Sequence, residues 1–440
     1  MAHRRHSSLP PKDGIEFDSL PWNLNHPEEH TYLHLTTTGE WTKEHYDPET
    51  DKGKLFDSVI KYDATPLPLS CACAALNYGL TIWEGLKCYR KKNGDPVVFR
   101  PDRNFHRFAN GAVQMSLPQP SRELFLRGIQ HILQQNSHII PPHGEGMKLY
   151  VRPMLLGSGQ QLGLYPSSQS SLLFYVSPTG NYFKNATGGL NLHLETKRCR
   201  AARGGVGNIK CSGNYAVALK PLMDAKKQGF HDNLFLELET YPKEGLLDLA
   251  ILQEMSAANV FFVLKTGEIV TPSLDRGTIL SGVTRDSVIT IVQEFADELK
   301  DAMIQSTGDK NVNVTVSSRD VTVGELKYAT EAFCTGTAAG KRNPTTDEEQ
   351  IIRYYFSSQL HPLKLIPHPP ELCAIARLAT GIDEEPFEVK FKYGQTLPGG
   401  PVTTTILTML REIMIGDRFS EGTEGWLRNP FASPEEFCKE

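Results

Sequence analysis

The 440 residues contain no uninterrupted apolar run long enough to cross a bilayer, so no helical membrane span is expected. Basic residues are not in excess either. The 46 Lys and Arg stand against 51 Asp and Glu, a net charge of -5, and the electrostatic footprint usual for nucleic-acid binding is missing. Cys-x-x-Cys does not occur, and no Cys/His cluster has zinc-ligand spacing, so no metal site is expected. Eight cysteines spread over this length do not make a disulfide scaffold. A reducing, cytoplasmic setting fits that usage best. Internal repeats and extended low-complexity tracts are also missing. The N-terminus lacks the apolar core of a secretory signal. Its opening, Met1-Ala2-His3-Arg4-Arg5-His6-Ser7-Ser8 with no acid before Asp13, faintly suggests an organelle presequence. A short tail is the preferred reading, because the acid-free stretch is brief.

What is present is a soluble globular composition, 39% hydrophobic and 22% charged, with length for two or three domains. Residues 1–29, rich in Pro, His and charge, read as a disordered tail. Residues 30–180 read as a small domain and 181–430 as a larger one. Helical spacing of Leu124, Phe125, Ile129, Ile132 and Leu133 predicts a helix over about 121–137 with Ser121 as N-cap. Ser171–Val176 predicts a buried strand, and Ser177-Pro178-Thr179-Gly180-Asn181 carries turn chemistry at the domain junction. Alternation of Leu190, Leu192 and Leu194 predicts another strand. A helix is expected over about 213–228, with Tyr215, Ala218, Leu219 and Leu222 on one face, Pro221 kinking it and Gly229 ending it. A further helix starts near Thr284, with Val288, Ile291, Val292, Phe295 and Leu299 on its apolar side.

Four runs carry the chemistry: Gly207–Tyr215 around Lys210, Glu254–Phe261, Leu280–Arg285 and Cys334–Ala339. In order they offer an amine, a carboxylate, a glycine-opened helix start and a small-residue Thr loop. That set provides a carbonyl-attacking nucleophile, a partner for a ring nitrogen and a phosphate cradle, which are what pyridoxal phosphate (PLP) requires of a protein. Singly, each feature has an ordinary reading. Lys210 alone is a solvated loop lysine and Glu254 a surface acid. Gly282-Val283-Thr284 alone is a helix capped by Thr284. Arg107 suits a phosphate clamp or a basic surface helix equally. Tyr78, Trp83 and Tyr150 suit a pocket wall or a core. Singly the ordinary readings win; the joint order of the four runs favours the functional one.

The linked motifs resemble the fold-type IV PLP enzymes, the class IV aminotransferases, and within them the branched-chain amino acid aminotransferases. The resemblance rests on Glu254-x-Ser256-x-x-Asn259-Val260-Phe261, Ile269-x-Thr271 and Leu280-x-Gly282-Val283-x-Arg285. It extends to Tyr78–Gly85, Phe99–Phe108, Leu149–Pro153 and Ser177–Phe183. It implies a mixed α/β (α+β) two-domain fold, with a small N-terminal α/β domain and a larger domain built on a pseudo-barrel sheet. It implies that Lys210 binds PLP covalently and moves the substrate's Cα proton, that Glu254 pairs with the pyridine nitrogen and that Tyr215 meets the ring hydroxyl. Arg107, Val283, Thr284 and Thr337 would bind the phosphate. Tyr150, Arg152 and Ala338 would place the substrate carboxylate, and Tyr78, Trp83 and Tyr182 would shape the side-chain pocket. The implied reaction is amino transfer from Leu, Ile or Val to 2-oxoglutarate in a homodimer. Other class IV chemistry (D-amino acid transfer or a PLP lyase) and a catalytically silent PLP-binding relative are the alternatives. The chain departs from the family pattern over residues 341–385, an atypical insertion beside the Thr337 loop, and over 239–245, longer than the usual hairpin.

Overall fold

Short strands with apolar residues on both faces dominate the chain, and they assemble into two sheets. The computed structural model describes residues 8–20, 23–62, 67–144, 147–179, 189–237, 246–336, 372–381, 384, 386–393 and 399–439. The first part of the chain supplies β1 (Thr31–Thr37), β2 (Val59–Lys61), α1 (Ala74–Tyr78), β3 (Thr81–Trp83), β4 (Leu86–Arg90), β5 (Pro96–Phe99), α2 (Pro101–Gln114), α3 (Arg122–Gln135), β6 (Lys148–Gly157) and β7 (Ser170–Thr179). Its strands lie in the order β5-β4-β6-β7-β1-β2, all antiparallel, with β3 also on β6. Ser121 caps α3 by accepting from the amide of Leu124, as its position before the apolar spacing predicts. The apolar face of α3 meets the sheet through Phe125, whose ring packs on Phe105, Phe108 and Phe174.

The second part supplies β8 (Leu190–Glu195), α4 (Ser212–Lys227), β9 (Asp232–Leu236), β10 (Leu252–Met255), β11 (Asn259–Leu264), β12 (Glu268–Pro272), α5 (Val283–Glu294), α6 (Ala296–Thr307), β13 (Thr315–Arg319), β14 (Ala329–Thr335), β15 (Leu372–Ala379), β16 (Glu388–Lys390), α7 (Pro401–Ile415), β17 (Leu427–Arg428) and α8 (Pro434–Phe437). These strands form a mixed sheet in the order β10-β9-β8-β15-β14-β11-β12-β13, with β16 on β15. β17 leaves that sheet and pairs with β5 of the first one. A core containing Tyr89, Phe99, Val288, Ile406 and Trp426 draws on both halves of the chain.

Three expectations need correction. Ser177–Thr179 is not a turn but the end of β7, where Pro178 stands opposite Leu149; Gly180 and Asn181 lie outside the described residues. The buried face of α4 is Asn214, Ala218, Pro221 and Ala225, while Leu219 is 59% exposed, because β9 and β8 pack on the Pro221 side. The apolar series from Val288 to Leu299 is buried as read, but it spans two helices that break at Phe295. The segments 239–245 and 341–371 lie outside the described residues.

Phe125 is fully buried and touches three other rings, so Phe125→Ala removes packing that the site cannot refill. Destabilisation of about 3–5 kcal/mol is expected, read as a lower midpoint in urea unfolding.

Candidate active site

β3 positions the lysine. The amide of Trp83 donates to the carbonyl of Lys210 at 3.1 Å, and Ile82 bridges Cys211, the residue that precedes α4. This pairing sends the Lys210 side chain across the Trp83 ring, with Nζ 3.8 Å from its centroid. The same amine donates to the Tyr215 hydroxyl at 2.7 Å from one turn into α4. Burial, and then the neighbouring Arg107 guanidinium, hold the amine well below its usual 10.5. That shift favours the unprotonated amine, the form that attacks a carbonyl. Burial pushes the Tyr215 phenol up, so it stays protonated and able to donate.

Glu254 ends β10 and is buried, not the surface acid that its isolated reading gives. Oε1 accepts from Arg200 and from the Leu280 amide, both at 2.9 Å. Oε2 accepts from Asn259 Nδ2 at 2.8 Å, and no other described residue donates to it, which leaves it room for a further donor. Burial raises the carboxyl's pKa, and the Arg200 charge opposes that rise.

Arg107 lies within α2 and is not a surface cation. Its Nε and Nη2 bind Glu84 at 2.6 and 2.8 Å, and its Nη1 donates to the Ser281 carbonyl at 2.9 Å. Glu84 is fully buried and also accepts from Asn104 at 2.6 Å. Facing this pair, α5 begins with Gly282 as its N-cap, so Val283 and Thr284 occupy the first turn and Thr284 does not cap it. The first-turn amides of a helix lack intrahelical partners and attract an anion.

These groups share one cleft, lined by Trp83, Gly85, Arg107, Tyr150, Lys210, Tyr215, Glu254, Asn259, Val283, Thr284, Thr335 and Gly336 among others. Arg152 stands just behind, two residues along β6 from Tyr150 and thus on the same face. It donates to the Tyr150 hydroxyl at 2.8 Å and stacks 4.0 Å over Trp83. Among the described residues no carboxylate pairs with it. Tyr78 does not reach the cleft: it is 42% exposed, and its hydroxyl accepts from the Gly163 amide at 2.6 Å. Tyr182, Thr337 and Ala338 lie outside the described residues.

A buried amine of lowered pKa, an ionisable carboxylate with an open acceptor and an anion-binding helix start now stand on one cleft. Residues 81–343 match the family Amino-transferase class IV. The chain belongs to that family. Among curated relatives, Branched-chain-amino-acid aminotransferase 5, chloroplastic, of Arabidopsis thaliana is 38% identical over 325 residues, 74% of this chain and 68% of that protein. Methionine aminotransferase BCAT4 of the same plant is 37% identical over 67% of this chain and 75% of its own. The crystal structure of the Escherichia coli branched-chain amino acid aminotransferase superposes with a TM-score of 0.58 at 20% identity, covering 84% of this chain and 95% of that one. The mixed α and β fold expected of a class IV aminotransferase is thus the fold observed.

Glu84 and Arg200 had no role in the sequence reading of this class IV aminotransferase, and Asn259 was a motif letter without a task. An acid inside Ile82-Trp83-Glu84-Gly85-Leu86, an otherwise apolar run, was the available signal for Glu84. Arg200, in a run rich in charge, carried none.

Removing Glu84 leaves the Arg107 guanidinium buried without its counter-charge. Glu84→Ala is expected to cost about 3–5 kcal/mol of stability, visible as a lower melting temperature. Lys210 gives a pH test. Unfolded, the amine keeps its proton up to about 10.5; folded, it has lost it at lower pH. The unfolded state then binds more protons, so stability rises with pH between the lowered pKa and 10.5, by up to about 1.4 kcal/mol per unit. Lys210→Met lacks this slope, so in the apoprotein its advantage over the parent chain shrinks as pH rises through that window.

Proposed function

We propose that this class IV aminotransferase moves the amino group of L-leucine, L-isoleucine or L-valine to 2-oxoglutarate, giving branched 2-oxo acids and glutamate, with pyridoxal 5'-phosphate as cofactor. The observation that carries this reading is the buried Lys210 amine, held by Tyr215 on the same cleft as Glu254, whose Oε2 is open to a donor. The residues fit the cofactor in other respects too. Thr335 Oγ1 is buried on the cleft wall with no hydrogen-bond partner among the described residues, and the first turn of α5 presents its amides there.

Lys210 would hold the cofactor through Nζ, and the same nitrogen, once freed, would take the Cα proton and return it. Tyr215 holds that amine in place and would donate to the ring hydroxyl. Glu254, paired with Arg200, would face the ring nitrogen and hold a proton on it. When bound, PLP supplies the electron sink that makes the substrate's Cα–H acidic. Arg107, the amides of Val283 and Thr284, and Thr337 would take the phosphate. Tyr150, Arg152 and the Ala338 amide would place the substrate carboxylate, and Arg152 supplies a cation without a described carboxylate partner for it. Trp83 and Tyr182 would wall the side-chain pocket; Tyr78, facing outward, is not carried into this assignment.

An apolar wall separates substrates that differ by a methylene by only about 1–3 kcal/mol, so use of all three amino acids is expected. The methionine aminotransferase among the relatives makes methionine a necessary member of any substrate panel. We also propose a small domain over 30–180, a larger one over 181–430 and a homodimer. Leu162 and Leu164, 84% and 91% exposed on the turn that holds Tyr78, support the last. Cytoplasmic residence is proposed, with organelle import as the alternative, given the chloroplastic relative.

The holoenzyme titrated with L-leucine, without keto acid, is expected to lose its yellow absorbance as the amino group transfers. Lys210→Ala should slow that change at least about a hundredfold, the usual scale of general acid–base help. A yellow protein bleached by D-amino acids and not by L-leucine would overturn the substrate assignment.

A further inference from the structure

Asn259 begins β11, just after the short connection from β10, the strand that carries Glu254. Its side chain is buried, and its amide nitrogen donates to two acceptors. One is Glu254 Oε2 at 2.8 Å; the other is the carbonyl of Leu280 at 2.9 Å. The amide of that same Leu280 donates to Glu254 Oε1. The Leu280 residue is therefore gripped at both its N–H and its C=O, and two residues later Gly282 caps α5. Gly282 has ordinary backbone angles, φ −68 and ψ 131, so no conformational strain demands glycine there. Space does: a Cβ at Gly282 would stand 2.1 Å from Asn259 Oδ1.

We propose that Asn259 is a positioning residue that fixes the distance between the two ends of the cofactor site, the carboxylate for the ring nitrogen and the helix start for the phosphate. The inference rests on the cofactor reading above. A rigid ligand with an anchor at each end gains from both only if the anchors stand at the right separation. One –NH₂ group, with one hydrogen committed to each side, sets that separation. An aspartate has the same shape but no donor, so it faces Glu254 Oε2 and the Leu280 carbonyl with acceptors alone.

The test uses three probes on the apoprotein: PLP, pyridoxal without the phosphate, and inorganic phosphate. Asn259→Asp should weaken PLP about ten- to hundredfold, the scale of hydrogen bonds to a charged group. Pyridoxal and phosphate, each free to settle at its own end, should change less than about threefold. Gly282→Ala, which pushes Asn259 aside without altering it, should reproduce the pattern, and it carries the test if the aspartate variant does not fold. Equal weakening of PLP and pyridoxal would mean that Asn259 serves Glu254 alone, and the bridging role would be overturned. Glu254→Gln separates the two levels. If it weakens PLP while Asn259→Asp and Gly282→Ala do not, only the present inference fails. If it leaves PLP binding unchanged, the assignment of the cleft fails with it.

Discussion

The site depends on burying charge in matched pairs. Arg107 with Glu84 and Arg200 with Glu254 are ion pairs whose side chains are almost entirely withdrawn from water. An isolated buried charge costs several kcal/mol, and pairing with further hydrogen bonds is what makes such burial tolerable. The additional donors are present: Asn104 on Glu84, and Asn259 and the Leu280 amide on Glu254. Lys210 stands among these groups with no carboxylate partner among the described residues, and burial lowers its hold on its proton. The same low-polarity setting that forces acids and arginines to pair thus frees one amine for chemistry.

The architecture delivers these groups from distant parts of the chain. Trp83, Glu84 and Tyr150 come from the antiparallel sheet and Arg107 from the helix that follows β5. Lys210 comes from the loop before α4, and Glu254 and Asn259 from strands of the mixed sheet that are consecutive in the chain. The two halves are joined by the backbone contact between Trp83 and Lys210, by the Arg107–Ser281 hydrogen bond and by the return of β17 to β5. A cleft at such a junction can present an amine, a carboxylate and a helix start to one ligand without distorting either sheet.

Local pattern made much of this legible. Ser121 as the cap before an apolar helical spacing, the Leu190 alternation and the strand in the apolar run Ser171–Val176 were read from local pattern, and the structure has them. The spacing Tyr150-x-Arg152 places both side chains on one face of β6, where they are in contact. Pattern misled where several apolar residues competed for one face. On α4, Leu219 was read into the apolar face by spacing but is exposed, while Asn214, Ala218, Pro221 and Ala225 are the buried residues. The proline after Ser177 read as a turn, yet it continues β7.

The sequence by itself determined which chemical groups exist and in what order: the amine, the carboxylate, the glycine-opened helix and the apolar periods that make strands and helices. These depend on neighbours a few residues apart, which sequence spacing encodes directly. Only the tertiary structure decided which charges meet. Glu84 finds Arg107, and Arg200 finds Glu254, through the register of strands and the angle at which helices cross them. The same assembly turned Tyr78 away from the cleft and gave Asn259 its two acceptors. Those outcomes follow from the cost of leaving a buried polar group unpaired, and that cost is set only once the chain has closed around it.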